Sequence, residues 1–378
     1  MAPWLVPGAV GDPGRIHAEG MTARVALEEA RDAVAGMVGA RNREVVFTAS
    51  GTEALVSAVW GAAPRGRHLV VGATEHSAVR LAAAALESAG THELTVVDVD
   101  TTGRIDPDAV ARSLRDDTAL VAVQWANHEV GTTQPVAAVV DRVADHPALL
   151  LVDAAQAVGR DEIGFADSGI DLLAFSGHKF GAPTGTGVLC VRRGLRLRPL
   201  LVGGDQERAR RAGMENLAAV AGLGAVASLL ADGTHRSTEA DRQRALTTKL
   251  GAALSAVPGV EVLGDPHHRA PHIVCAIIGG VEPQAVLLGL DRAGIAAHSG
   301  SACTSGDLAP SPVLSAMGVD AHHSLRLSVG WNSTDADVVA VADVLGPTIA
   351  GLRQLAGHDP GDPSPAPGGT SGTEDHDA

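Results

Sequence analysis

Lys179, in "DLLAFSGHKFGAPTG", is one of two lysines in the chain; the other is Lys249, and the remaining 27 of the 29 basic residues are arginine. A chain that uses guanidinium for plain positive charge keeps an amine for what guanidinium cannot do, which is to lose its proton and attack a carbonyl carbon. Lys249, in the Arg-rich amphipathic stretch "DRQRALTTKLGAAL", reads as a surface residue. Ser176 and His178 stand beside Lys179. Other residues of useful type recur upstream: Gly51 and Thr52 after "EVVFTAS", Glu75 and His76 in "GATEHSAV", Asn127, His128 and Glu129 in "QWANHEVG", Asp153 and Gln156 in "LLLVDAAQAVG". Together these types suit a pyridine aldehyde that bears a phosphate. A Gly-Thr turn opening a helix offers amides and a hydroxyl to the phosphate, with Ser176 and His178 placed to help. Lys179 supplies the amine for an imine. Asp153 keeps the pyridine nitrogen protonated, which lets the ring accept electrons. His76 lies against the ring or moves protons.

Each of these groups follows a short apolar run, and Ala-rich helical stretches separate the runs from residue 40 to 190. That alternation predicts an α/β fold with a mainly parallel sheet covered by helices. Ligands of such sheets sit beyond the carboxyl ends of the strands, so five strand ends are expected to converge on one site. The length predicts a large domain over 10–235 and a smaller α+β domain over 236–356, with residues 1–9 packed on the smaller one. The segment Gly357–Ala378 carries five acids, no Lys or Arg, and many Pro, Gly and Ser, the composition of a disordered acidic tail.

Net charge of -15 argues against nucleic acid or an anionic membrane surface as the main partner. No apolar run approaches the roughly 20 residues that span a bilayer, and "MAPWLVPGAV" lacks the pattern of a secretion signal. The three cysteines are an odd number and widely spaced, which fits no disulfide framework and points to a reducing, cytoplasmic setting. Cys190 and Cys275 lie in apolar strand-like contexts and read as small hydrophobes. Cys303 differs: "AAHSGSACTSGDLAPSPVL" surrounds it with small polar residues, the setting of an exposed, reactive thiol. The histidine clusters "DPHHRAPH" and "DAHHSLRL" have neither a thiol at ligand spacing nor a helical His pair, so no metal is expected.

With these motifs the sequence resembles the cysteine desulfurases of the class V aminotransferase group, which use pyridoxal phosphate. "SGHKF" is similar to the family's cofactor-lysine motif, "LVDAAQAVG" to its ring contacts, "ATEHSAV" to its stacking histidine and "GSACTSG" to its sulfur-accepting cysteine. The resemblance implies the type I pyridoxal phosphate fold, a homodimer, L-cysteine as substrate and a sulfur-acceptor protein as partner. It implies that Gln156 contacts the ring hydroxyl, that Arg326 in "SLRLSVG" binds the substrate carboxylate beside Asn127 and His128, and that Cys303 takes the sulfur as a persulfide. His76 is implied as the proton carrier near that sulfur. Iron–sulfur cluster assembly and other sulfur-using pathways draw on this chemistry. Three positions depart from the family. "MAPWLVPGAV" replaces its opening strand, His128 its second Asn, and Met214 a Thr that reaches the partner's phosphate. They keep two alternatives open: a pyridoxal phosphate enzyme of another substrate, such as a selenocysteine lyase or aminotransferase, and a weakened sulfur-transfer scaffold.

Overall fold

The computed structural model describes residues 1–6, 11–299 and 310–357. A seven-stranded sheet comprises β1 (Val45–Thr48), β2 (His68–Gly72), β3 (Glu93–Val97), β4 (Thr118–Gln124), β5 (Leu149–Asp153), β6 (Leu172–Ser176) and β7 (Gly187–Val191), in the order β1-β7-β6-β5-β4-β2-β3. Only β7 runs against its neighbours, so the carboxyl ends of the other six strands share one edge. Five of these strands, β1, β2 and β4 to β6, are buried along their whole length, which is why they read as unbroken apolar runs rather than as an alternation of apolar and polar. Side chains still alternate between the faces: Val121 and Val123 join the core under helices Ala18–Val38 and Leu217–Leu230, and Leu120 and Ala122 join the core under helices Gly51–Ala62 and Ser77–Ser88.

The antiparallel partner β7 can start where it does because residue 187 is glycine. A Cβ there would meet the carbonyl carbon and oxygen of Ser50 at 2.2 Å, and Ser50 opens the helix that follows β1. The expected site turn and the strand beside it therefore fit together only without a side chain at 187.

A second, three-stranded antiparallel sheet, β10-β9-β8, is built from β8 (Val260–Val262), β9 (Ile273–Ile278) and β10 (Ser324–Ser328). Helices Thr234–Ser255, Pro283–Arg292 and Asp335–Leu355 pack on it around Leu250, Val286, Leu327 and Leu345. The last of these helices is long and apolar enough to cross a bilayer by composition, although the sequence shows no unbroken apolar run of that length. It instead buries Val338, Val341, Leu345 and Ile349 against this sheet.

One expectation is corrected at the N-terminus. Trp4 packs against the core of the large sheet, and the turn Ala2–Trp4 lies on helix Leu217–Leu230. Helix Leu217–Leu230 and the large-sheet core offer the indole an apolar surface to bury against. The acidic segment from 358 onwards lies outside the described residues.

Candidate active site

A cavity of about 320 Å³ opens at the carboxyl edge of the large sheet, lined by Gly51, Thr52, His76, His128, Asp153, Gln156, Ser176, His178, Lys179 and Arg326. Five strand ends and one residue of the second sheet meet in it. After β1, Ser50 caps helix Gly51–Ala62 by accepting from the Glu53 amide at 3.1 Å, which leaves the amides of the first helical turn, those of Gly51 and Thr52, at the cavity wall. A Cβ on Gly51 would press on Ser176 Cβ at 3.0 Å. Ser176, at the end of β6, shares a 2.9 Å hydrogen bond with His178 Nδ1. This cradle of amides, hydroxyls and imidazole carries no carboxylate.

Asp153 ends β5 and is 7% exposed. Among the described residues a single hydrogen bond reaches its carboxylate, from the Ala155 amide at 2.9 Å. Burial, only partly offset by that bond and by the Lys179 charge, raises its pKa to about 6. Behind it Glu75 is buried, accepts from the Gln124 amide at 2.5 Å and leaves Oε2 without a hydrogen bond among the described residues. Burial, and then the Asp153 charge, push Glu75 well above the usual carboxylate range.

Lys179 lies on a tight turn, Gly177–Phe180, closed by Gly181 at φ 92°. Its side chain is accessible through the open cavity. Its backbone carbonyl accepts from Arg160 Nη2 at 2.8 Å, and its amine forms no ion pair among the described residues. The protein packed around it, with the cations Arg326 and Arg160, lowers its pKa. Lys249, by contrast, is exposed and paired with Asp335 at 2.5 Å. The two lysines thus stand in different settings, one at a cavity wall among cations and the other in an exposed ion pair.

His76 caps helix Ser77–Ser88, its Nδ1 accepting from the Ala78 amide at 3.1 Å. That bond puts the proton of the neutral ring on Nε2. Burial, then Lys179 and Arg80, lower its pKa. The His128 ring meets it edge-on at 5.3 Å; burial and the neighbouring His76, Arg326 and Lys179 bring His128 to about 3. Both imidazoles are therefore neutral at pH 7. Arg326, on β10, donates from Nη1 to the His128 carbonyl at 3.0 Å, so the second sheet reaches the cavity through one guanidinium.

Asn127 is the exception among the expected residues. Its Oδ1 accepts from the Glu129 and Val130 amides, both at 2.8 Å, and its Nδ2 donates to the Thr74 carbonyl at 3.2 Å. The side chain closes its own turn and does not line the cavity, so the expected contact with substrate is corrected to a supporting role for the loop that carries His128. Glu129, next in line, accepts from Ser311 at 2.7 Å, and burial raises it to about 7. Cys303 lies outside the described residues. Cys190 and Cys275 are buried, and burial raises both thiols well above the ordinary range, which makes them inert. Met214 is 59% exposed and does not line the cavity of its own chain.

Sequence reasoning missed two neighbours. Arg160 and His272 line an adjoining cavity of about 240 Å³ together with His128, Gln156, Lys179 and Arg326. Arg160 lies four residues past Gln156 and was within reach of inspection. His272 comes from the second sheet, and its 2.9 Å contact with Gln156 spans 116 positions. Among the described residues no group of three or more His, Cys, Asp or Glu stands ready for a metal ion.

The chemistry of the set matches the phosphorylated pyridine aldehyde. It has an anion cradle at a helix N-terminus, a buried carboxylate that has no cationic partner within ion-pair distance among the described residues, and an amine with lowered pKa.

The sequence model of the family described as Aminotransferase class-V matches residues 8–341. The chain is 41% identical over 353 residues to a cysteine desulfurase of Nostoc sp., which covers 92% of this chain and 88% of that one. It is 40% identical over 356 residues to the cysteine desulfurase NifS of Azotobacter vinelandii, covering 92% and 87%. Among solved structures it is similar to DndA from Streptomyces lividans, with a TM-score of 0.72 at 36% identity over 84% of this chain and 91% of that one. It also resembles the apo cysteine desulfurase from Thermococcus onnurineus NA1, with a TM-score of 0.81 at 26% identity over 93% and 90%.

Proposed function

The chain belongs to the class V aminotransferases and, within them, to the cysteine desulfurases, and from that membership we propose the division of labour at its cavity. It uses pyridoxal phosphate to take sulfur from L-cysteine and leave L-alanine. The observation that carries the assignment of roles is the meeting of Lys179, Asp153, His76 and the Gly51–Thr52 turn in one cavity.

Gly51, Thr52, Ser176 and His178 would hold the phosphate, Asp153 the ring nitrogen, Gln156 the ring hydroxyl and Lys179 the aldehyde carbon, with His76 available to the ring. Bound there, pyridoxal phosphate supplies an electron-accepting ring that makes the substrate's α-proton acidic and its Cβ–S bond breakable. Arg326, steadied by the His128 carbonyl, offers the rest of its guanidinium to the substrate carboxylate. Lys179 Nζ, its pKa lowered by its surroundings, takes and returns the α-proton. Cys303 attacks the substrate sulfur as thiolate. An S–S bond would form as the Cβ–S bond breaks, its electron pair leaving with the substrate carbon, which takes up a proton at Cβ to become alanine, and the sulfane sulfur would stay on Cys303 as a persulfide. His76, neutral and carrying its proton on Nε2, is the group that relays protons near that sulfur.

The protein works as a cytoplasmic homodimer that hands its sulfur to an acceptor protein, with iron–sulfur cluster assembly as the use. The apolar run Leu200, Leu201 and Val202, exposed at 37%, 41% and 84%, supports the dimer, since a second copy would bury it.

Incubation of the purified protein with pyridoxal phosphate and L-cysteine is expected to yield alanine, with peptide mass spectrometry placing one extra sulfur on Cys303. Alanine formed while Cys303 stays unmodified in stopped-reaction samples would sink the sulfur-transfer role.

A second expectation concerns pH. Asp153 titrates at about 6 in the free protein, and only its ionised form favours a protonated ring nitrogen. Affinity of the free protein for pyridoxal phosphate should therefore fall as pH drops from 7.5 to 5, with the Asp153-dependent part absent in Asp153→Asn. Identical pH profiles for the two proteins, read by equilibrium titration, would remove Asp153 from that contact.

A further inference from the structure

We infer that His272 is a positioning residue: its Nε2–H holds the side-chain carbonyl of Gln156, so that the Gln156 amide presents only N–H donors to the cofactor cavity. The inference rests on the reading that this cavity holds pyridoxal phosphate. His272 precedes β9 and is 4% exposed. Its carbonyl accepts from the Val329 amide at 3.0 Å, just beyond β10, which fixes it to the second sheet. Its Nε2 lies 2.9 Å from Gln156 Oε1, and its Nδ1 is buried with no hydrogen bond among the described residues.

Those two nitrogens settle the tautomer. A proton on Nδ1 would bury an N–H with no acceptor, whereas a bare lone pair there is the milder of the two omissions. The proton therefore belongs on Nε2, which makes the imidazole the donor and Gln156 Oε1 the acceptor. A doubly protonated ring is disfavoured by burial and by the cations Arg160, Lys179 and Arg326 around it. The Gln156 amide has two ends, and this bond occupies the accepting one. Gln156 lines both the cavity that holds His272 and the one that holds Asp153, Ser176 and Lys179, so its remaining N–H groups are what a ring hydroxyl would meet. A glutamine free to flip would present its carbonyl oxygen to that hydroxyl in part of the population, and would favour the protonated hydroxyl over the anion.

The test uses the full-length protein freed of coenzyme and titrated with pyridoxal phosphate, without L-cysteine. Affinity and the pH midpoint of the bound visible band are the readouts. His272→Gln keeps a donor where Nε2 stands; His272→Leu and His272→Asn do not reach. Wild type and His272→Gln should agree, and the other two should bind roughly three- to tenfold more weakly with the midpoint moved upward. In a Gln156→Leu background, His272→Leu should add no further loss. Equal affinity and midpoint for His272→Asn and His272→Gln, or a full additional loss on top of Gln156→Leu, would overturn the inference. A wild-type protein that takes up no pyridoxal phosphate would overturn the cofactor reading and this inference with it, whereas normal uptake with indifferent variants would overturn this inference alone.

Discussion

Lys179→Ala is expected to lower kcat for alanine formation by on the order of 10³-fold or more, and Lys179→Arg by as much. The magnitude follows from the loss of a positioned base that moves the α-proton, an effect of about 10² to 10⁴ taken alone, to which the lost attachment of the coenzyme adds. Arginine is the informative replacement. It keeps the positive charge among Asp153, Arg160 and Arg326 but cannot give up its proton at any working pH. If Lys179 served only as a cation, Lys179→Arg would stay within roughly tenfold of wild type, a change of about 1.4 kcal/mol in the barrier. Lys249→Arg is the control, since that amine is exposed and pairs with Asp335, away from the cavity. Steady-state alanine production by the four proteins decides the matter, and an active Lys179→Arg enzyme would dismantle the proposed chemistry.

Glu207→Ala is expected to destabilise the fold by about 3–5 kcal/mol, the cost of stranding a buried charge. The Glu207 side chain is fully buried and that of Arg31 is 2% exposed. They meet through two 2.7 Å hydrogen bonds, Nη1 to Oε2 and Nη2 to Oε1, the parallel fork that guanidinium and carboxylate favour. Glu207 Oε2 also accepts from the Phe47 amide at 2.9 Å, and Arg31 stacks 4.6 Å above the Phe47 ring. The carboxylate therefore ties a distant segment to helix Ala18–Val38 and to β1, whose end carries the phosphate turn. That segment is strained: Glu207, Arg208 and Ala209 all have φ between 48° and 59°, a region that disfavours side chains. Removing Glu207 leaves the buried Arg31 guanidinium with the partly exposed Glu28 carboxylate, 3.2 Å from Nε, as its remaining charged partner among the described residues. Replacing both partners, Arg31→Met with Glu207→Leu, should recover most of the loss, because no charge is then stranded. Urea unfolding midpoints measure all three, and a Glu207→Ala loss below about 1 kcal/mol would show that water or the neighbouring Glu28 carboxylate satisfies Arg31 by itself.

Much of the site could be read from the chain because its parts are local. Five strands of the large sheet are short, apolar and followed within a few residues by a functional one, so Gly51, His76, Asp153 and Lys179 could be placed without knowing how the strands pair. Lys179 was marked further by the near absence of other lysines. Asn127 was misplaced by the same reasoning, since a polar residue after an apolar run can equally serve its own turn; the sequence "ANHEVG" held that alternative in the two amides that follow. His272 and Arg326 depend on how the second sheet sits against the first. Arg326 was found only through the family motif. His272 had no local signal, because "RAPHIVC" looks like any entry to a strand. The position of Trp4 was likewise decided by tertiary packing rather than by its neighbours.

Arg326 and His272 come from the three-stranded sheet, while every group assigned to the phosphate and to the ring nitrogen comes from the seven-stranded one. The two sheets cannot be exchanged between related proteins as independent modules. A chimera that kept the large sheet and took its C-terminal portion from a relative would retain the means to hold a vitamin-derived coenzyme, yet its preference among amino acids would travel with the donated part. The groups assigned to the phosphate and ring nitrogen all precede residue 180, whereas the carboxylate-binding Arg326 and the sulfur-accepting Cys303 would be inherited together from the C-terminal portion.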